Sequence, residues 1–222
     1  MKTPAVDYRD FRLSRINEPR FAHLKLLLGW VIYFALYFLT ENLIPAERCC
    51  SVHIWLDDLI PFNEFFVIPY VAWYGLILFS LVYFALYQVD SFRRLQTYFI
   101  ITQLTATAIY ILLPTRQDLR PTVFPRDNLL TDLVRLLYRL DTNTGVCPSL
   151  HVALSLGLVS VWTKEKGANI WWKAFVVVAV ILICLSTMFI KQHSAADFFA
   201  ALPVCLLSEY LVYGQNREKD VD

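Results

Sequence analysis

The sequence predicts an all-α fold, a polytopic membrane bundle of about six transmembrane helices, and three observations carry that reading. Of 222 residues, 57% are hydrophobic and only 18% are charged, with a mean hydropathy of +0.48; soluble domains carry about 25% charged residues. Six apolar runs approach the roughly 20 residues that a bilayer crossing needs. Lys and Arg (20) nearly cancel Asp and Glu (19), so no global basic field points to nucleic acid. Six glycines and ten prolines exclude a collagen-like or low-complexity chain. Five cysteines without paired short spacings exclude a zinc ribbon and a disulfide-dense scaffold.

The spans follow in chain order. The first is expected from Leu24 to Leu39, extending weakly to Ile44, and the second from Phe65 to Tyr87. The third covers Tyr98 to Pro114; the fourth, short for a crossing, covers Ser149 to Trp162. The fifth runs from Ile170 to Ile190 and the sixth from Asp197 to Tyr213. The basic leader before the first span (residues 1–25) is long and lacks a small-x-small cleavage site, which reads as a retained signal anchor. With no internal repeat and no Gly/Ser linker, the chain reads as one domain, residues 1–222. Two further segments look amphipathic, His53–Phe66 and, with its leucines at helical spacing, Asn128–Leu140; both are expected at the outer interface, as plain packing helices or as a gate for lipid entry.

Loop charges set the orientation. With the N-terminus in the cytoplasm, thirteen Lys/Arg lie inside: Lys2, Arg9, Arg12, Arg15, Arg20, Lys25, Arg93, Arg94, Lys164, Lys166, Lys173, Arg217 and Lys219. Seven lie outside: Arg48, Arg116, Arg120, Arg126, Arg135, Arg139 and Lys191. Both termini are then cytoplasmic, and the Thr115–Pro148 loop faces the exterior. Cys49, Cys50 and Cys147 share that outer side, where either free thiols or a bridge from Cys147 to one of the other two would be compatible with an oxidising compartment.

Ionisable residues at membrane depth call for a reason. Three polar clusters sit where spans meet the outer surface: Thr115–Pro121, Cys147–His151 and Lys191–Asp197. His193 and Asp197, four apart, share one helical face, so the carboxylate would fix the imidazole and leave its other nitrogen as nucleophile or base. The pair taken alone would equally serve as a helix cap. Pro148 and Ser149 suit the first positions of a helix, whose free N–H groups bind phosphate, and His151 follows in the first turn. Arg116 and Arg120 supply guanidinium forks that match phosphate oxygens, or would simply meet lipid headgroups. Two histidines, a carboxylate, two arginines and a lysine on one membrane face make a phosphoryl-transfer site. A metal site fits them poorly, because the cations would repel the ion and carboxylate ligands are scarce.

From Thr115 to Asp197 the chain resembles the type 2 phosphatidic acid phosphatase (PAP2) superfamily, whose motifs are Lys-x6-Arg-Pro, Pro-Ser-Gly-His and Ser-Arg-x5-His-x3-Asp. Arg120-Pro121 matches the end of the first, Pro148-Ser149-Leu150-His151 matches the second apart from Leu150, and Ser186, His193 and Asp197 match the third. Leu113 stands in place of the first-motif lysine and Thr187 in place of the third-motif arginine; Arg116 and Lys191 are close enough in sequence to substitute. Leucine in place of the motif glycine is similar to the lipid phosphotransferase branch, which includes inositol phosphorylceramide synthases. The resemblance implies a PAP2-like membrane bundle that hydrolyses a lipid phosphate, such as phosphatidic acid or a polyprenyl diphosphate, at the extracytoplasmic face of the cell membrane. His193 would be phosphorylated, Asp197 would hold its ring, and His151 would protonate the leaving alkoxide. Arg120, Lys191, Arg116 and Ser149 would bind the phosphate, with no cofactor and no metal. Two alternatives are transfer to an alcohol acceptor and a non-catalytic relative that binds or moves a lipid. The sequence sets no oligomeric state.

Overall fold

The computed structural model describes residues 3–214. Lys2, Arg217 and Lys219 of the charge count lie outside the described residues. The chain is an all-α bundle, and among the described residues five helical stretches are long and apolar enough to cross a membrane: Ala22–Leu43, Glu64–Tyr87, Val89–Leu112, Ile170–Phe189 and Ala195–Tyr213. Their α-helical parts are α1 (Leu28–Leu43), α3 (Val67–Tyr87), α4 (Val89–Leu112), α7 (Ile170–Phe189) and α8 (Ala195–Tyr213). A shorter apolar helix, α6 (Leu150–Lys164), packs between α4, α7 and α8. Two short helices, α2 (Trp55–Leu59) and α5 (Leu129–Leu140), lie at the end where α6 and α8 begin.

Three expected elements differ. The fourth expected crossing, Ser149–Trp162, is the 15-residue α6 and falls short of span length, which leaves five among the described residues. α4 starts at Val89, nine residues before the expected Tyr98, and only Gln88 separates it from α3. Hydropathy stops at the polar run Asp90–Arg94, but the helix continues through it because exposed Asp90 and Arg93 point outward while Phe92 and Leu95 bury. The His53–Phe66 segment is not one helix. Its α-helix ends at Leu59, before Pro61, and a 3₁₀ turn, Glu64–Phe66, follows; a proline ring clashes with the preceding turn and disfavours the α conformation one residue earlier. In contrast, the Asn128–Leu140 stripe forms α5 as expected, with the Asn128 side chain accepting from Thr131 N at 3.0 Å.

The core joins Phe84, Phe92, Phe99, Leu154, Leu158 and Trp162. Polar pairs cross it: Trp30 Nε1 donates to Gln96 (3.1 Å), Trp162 Nε1 to Ser80 (2.9 Å), and the hydroxyls of Thr102 and Ser208 meet at 2.9 Å. Such interhelical bonds contribute about 0.6 kcal/mol each in a membrane setting. The outward surface is apolar instead of charged, with Phe34 and Phe38 on α1, Leu78 and Val82 on α3, Val178 and Ile181 on α7, and Leu206 on α8 all exposed. A belt of this kind suits hydrocarbon and not water.

The helix directions bring one set of ends together: the C-terminal ends of α1, α4 and α7, and the N-terminal ends of α3, α6 and α8. The loops at this end are stitched by a parallel pair of two-residue strands, β1 (Cys50–Ser51) against β2 (Thr115–Arg116). At the opposite end the N-terminal segment docks on α3, with the Tyr8 hydroxyl donating to Ala85 O at 2.6 Å and Phe21 fully buried. There Ser91 bonds Glu165 and Lys164 pairs with Glu209.

Candidate active site

The third cluster sits on the turn between α7 and α8. α7 ends when the amides of Gln192 and His193 both bond Thr187 O, at 2.9 and 3.0 Å. Between them and the helix, Lys191 takes φ +54°, the left-handed conformation that usually falls to glycine at a helix end. The turn then opens α8 through a capping box. Ser194 Oγ accepts from Ala196 N (3.1 Å) and Asp197 Oδ2 accepts from Ser194 N (3.0 Å). The same carboxylate oxygen lies 3.1 Å from His193 Nδ1. An ionised carboxylate only accepts, so Nδ1 carries the proton and Nε2 presents its lone pair.

The second cluster arrives beside it. Ser149 caps α6, its amide donating to Asp197 O at 3.0 Å, which ties the starts of α6 and α8 together. Tyr110 Oη donates to Pro148 O at 2.5 Å and anchors the same segment to α4. His151, in the first turn, places its ring centroid 5.6 Å from that of His193 in an edge-to-face arrangement. Tyr70 stacks on His151 at 4.5 Å and Trp73 lies at 4.3 Å, so both aromatic side chains of α3 hold its orientation. Its Nε2 is buried without a hydrogen-bond partner, an expensive state for a group with nothing to bond.

Both histidines line a cavity of about 480 Å³ between α1, α3 and α6. Its walls descend along the bundle from Tyr37 to Trp30 on α1 and from Trp73 to Leu81 on α3, a span of about 10–12 Å at 1.5 Å per residue. Leu150, Leu154, Ile77 and Leu78 make this slot apolar, whereas Asp141, Thr142, Thr144 and Gln192 form a polar rim beside the histidines.

Of the expected phosphate ligands, the structure brings one close. Arg120 sits behind Gln192, donating to its Oε1 at 2.6 Å and to the carbonyls of Tyr138, Asp141 and Thr142 at 3.2, 3.0 and 2.8 Å, with its guanidinium 4.6 Å over the Tyr138 ring. Its Nε is buried and unpartnered. Burial pushes its pKa below the usual value while Asp141 opposes the shift; a guanidinium nonetheless stays charged.

The other three point elsewhere. Lys191 Nζ donates to the carbonyls of Asp57 (2.9 Å) and Ile60 (2.5 Å), turned away from the cavity by the left-handed backbone; burial lowers its pKa and Asp57 and Asp58 oppose that. Arg116 lies on β2 in extended backbone, so the four-residue spacing does not put it on one face with Arg120; it pairs with Asp118 at 3.2 Å and donates to Ala46 O. The Ser149 hydroxyl is fully buried and spent on its helix cap. The bridge between Cys147 and Cys49 or Cys50 does not form, and all three thiols are free.

Sequence reasoning passed over two carboxylates. Asp57, fully inside the fold, accepts from Ser194 Oγ (2.6 Å), Ala195 N (2.7 Å) and Ile54 N (2.9 Å), clipping α2 onto the start of α8. In one dimension it reads as the polar face of an amphipathic segment. Asp141 follows directly on the leucine stripe of α5 and nothing in its spacing marks it; its carboxylate accepts from Tyr37 Oη at 3.0 Å and lies 3.5 Å from Gln192 Nε2. Comparison with known proteins finds no matching family model, no matching curated protein and no matching solved structure.

Proposed function

We propose that this chain is an integral-membrane enzyme that hydrolyses a lipid phosphate through a phosphohistidine on His193. The observation that carries the reading is the alignment Asp197–His193–His151 at the polar end of an apolar slot. A binding protein has little use for an imidazole fixed through one nitrogen by a buried carboxylate and packed beside a second histidine on a cavity wall. The slot accounts for a lipid: it takes an acyl or prenyl chain while its rim keeps the phosphate at the histidines.

The steps balance as follows. His193 Nε2 attacks phosphorus, the P–O bond to the lipid breaks, and His151, protonated when the phosphate dianion enters beside it, gives its proton to the departing alkoxide. Water then attacks the phosphohistidine, His151 takes its proton, and inorganic phosphate leaves. Asp197 stabilises the positive charge on the His193 ring throughout. Arg120 is the cation placed to meet the phosphate, by exchanging Gln192 Oε1 for a phosphate oxygen. The reading calls on no cofactor and no metal. The asymmetry in Lys and Arg favours a cell-membrane protein with this site on the extracytoplasmic face.

The test is phosphate release by the purified full chain across lipid phosphates, with and without an alcohol acceptor, together with trapping of acid-labile, base-stable label on the protein. His193→Ala abolishes turnover and label, and Asp197→Asn lowers kcat by about 10⁴-fold with the fold intact. Turnover that survives in His193→Ala removes the covalent mechanism.

A further inference from the structure

We infer that the polar rim of this cavity is an ammonium-binding subsite, so that the substrate is a lipid phosphate carrying a cationic amine near its phosphorus. The inference rests on the reading of this cavity as the substrate site and adds the chemical class of the lipid.

Among the described residues that line the cavity, the only acid is Asp141 and none is lysine or arginine. Asp141 is half-buried, and its carboxylate is oriented by neutral partners alone, Tyr37 Oη at 3.0 Å and Gln192 Nε2 at 3.5 Å. The nearest guanidinium, that of Arg120, directs Nη2 at the main-chain carbonyls of Asp141 and Thr142 and at Gln192 Oε1 instead of the Asp141 side chain. A carboxylate left without an ion pair at the mouth of a phosphate site repels a simple dianionic monoester. It becomes favourable when the ligand brings its own cation.

Aromatic rings share the cavity with that carboxylate: Tyr37 bonds it directly, Tyr33, Trp73, Tyr74 and Tyr110 line the same walls, and Trp30 lies at the deep end. Aromatic faces attract ammonium groups through the ring quadrupole, most strongly where water is excluded. A carboxylate among aromatic rings is therefore the donor set for a primary or quaternary ammonium, next to histidines suited to phosphorus. Two sources share this chemistry: an amine on the lipid backbone, as in a long-chain amino-alcohol phosphate, and an amine on a headgroup beyond the phosphate, as in a phosphocholine ester.

Binding separates these sources and does not depend on turnover. The full-length protein in nanodiscs is titrated with hexadecyl phosphate, hexadecylphosphocholine and sphinganine 1-phosphate, following the emission of Trp30 and Trp73. At least one ammonium-bearing probe is expected to bind about tenfold or more tightly than hexadecyl phosphate, and the tighter of the two identifies the source. Asp141→Asn, which keeps volume and an acceptor for Tyr37, is expected to erase that preference and to tighten hexadecyl phosphate. Equal or tighter binding of hexadecyl phosphate by the wild type overturns the inference, as does a preference that survives Asp141→Asn. If that variant does not fold, the wild-type ranking alone still decides. An ammonium preference with neither phosphate nor phosphocholine released from any probe would refute the enzymatic reading and leave this one standing.

Discussion

Replacing Asp57 by alanine withdraws a buried carboxylate from the start of α8 and leaves the Ser194 hydroxyl and the Ala195 amide without an acceptor. Each buried donor left unmade costs about 1–3 kcal/mol, so the two together cost about 3 kcal/mol or more. For a chain of this size 1 kcal/mol moves Tm by about 2–4 °C, which gives a drop of about 6–12 °C. The kinetic loss is larger than the stability loss suggests. Ser194 and Ala195 immediately follow His193, and Lys191, two residues before it, bonds the Asp57 carbonyl. On the proposed mechanism a shift of about 1 Å at His193 lowers turnover by about 10²-fold, and because His193 is the one part of the cavity wall that moves the loss falls mainly on kcat. Asp57→Asn keeps one acceptor oxygen and lies between the wild type and Asp57→Ala. The assay pairs thermal unfolding of purified protein with steady-state kinetics, and adds Lys191→Met alone and combined with Asp57→Ala. If α2 clips the turn through both residues, the double variant loses clearly less than the two single losses multiplied. A Tm within about 2 °C of wild type and a kcat within about threefold for Asp57→Ala would refute this account of the clip.

Two further outcomes follow from packing and protonation. A methyl group at Gly157 would stand 2.6 Å from Cδ1 of Tyr98 and 3.3 Å from Cε1 of Phe99, both buried rings, so Gly157→Ala forces α4 and α6 apart at a cost of about 1–3 kcal/mol; a thermal melt reads this as a Tm lower by about 2–12 °C, and no change would mean the rings move freely. The Cys147 thiol is pushed up to about 12, first by burial and then by the neighbouring Asp197 charge. It is therefore almost wholly protonated at pH 8, and its alkylation should trail that of exposed Cys50 and accelerate only as pH rises toward 12; mass spectrometry after a timed iodoacetamide pulse checks the order.

The apolar spans were legible because hydrocarbon demands length and composition, and both are one-dimensional. The His193–Asp197 pairing was legible too, though not as the helical face the spacing suggested: His193 precedes the Ser194 cap, outside α8, and meets Asp197 where that carboxylate closes the capping box. What spacing does not carry is side-chain direction at an irregular turn. Lys191 lies two residues from His193, yet the left-handed backbone sends its amine to α2 and not to the cavity. Asp57 is 136 residues away from His193 in sequence, so only the folded chain brings it to Ser194. The early start of α4 was hidden for a different reason: hydropathy marks where lipid would touch a helix, not where its hydrogen bonds end.

On the proposed function, the fate of the cations at this end of the bundle explains why one arginine would remain for a phosphate. The loops here carry little regular structure beyond α2, α5 and a two-residue strand pair, and fixing each irregular residue costs about 1–2 kcal/mol of backbone entropy. Specific contacts between loops offset part of that cost. Arg126 holds the buried Glu64 at 2.7 Å, Arg116 joins Asp118 and the Ala46 carbonyl, and Lys191 joins α7 to α2. Moving Arg126 or Lys191 to reach a phosphate would strip a cation from buried Glu64 or from the Asp57 and Ile60 carbonyls, and moving Arg116 would cut its tie to exposed Asp118 and the Ala46 carbonyl. Arg120 differs. Its three carbonyl bonds fix the guanidinium from one side, and its fourth acceptor, Gln192 Oε1, belongs to a side chain that also lines the cavity. A phosphate oxygen in that fourth position replaces a neutral acceptor with a charged one, the stronger of the two bonds, and leaves the loop intact. Arg120 is thus the residue at which holding the loop and binding the phosphate do not compete.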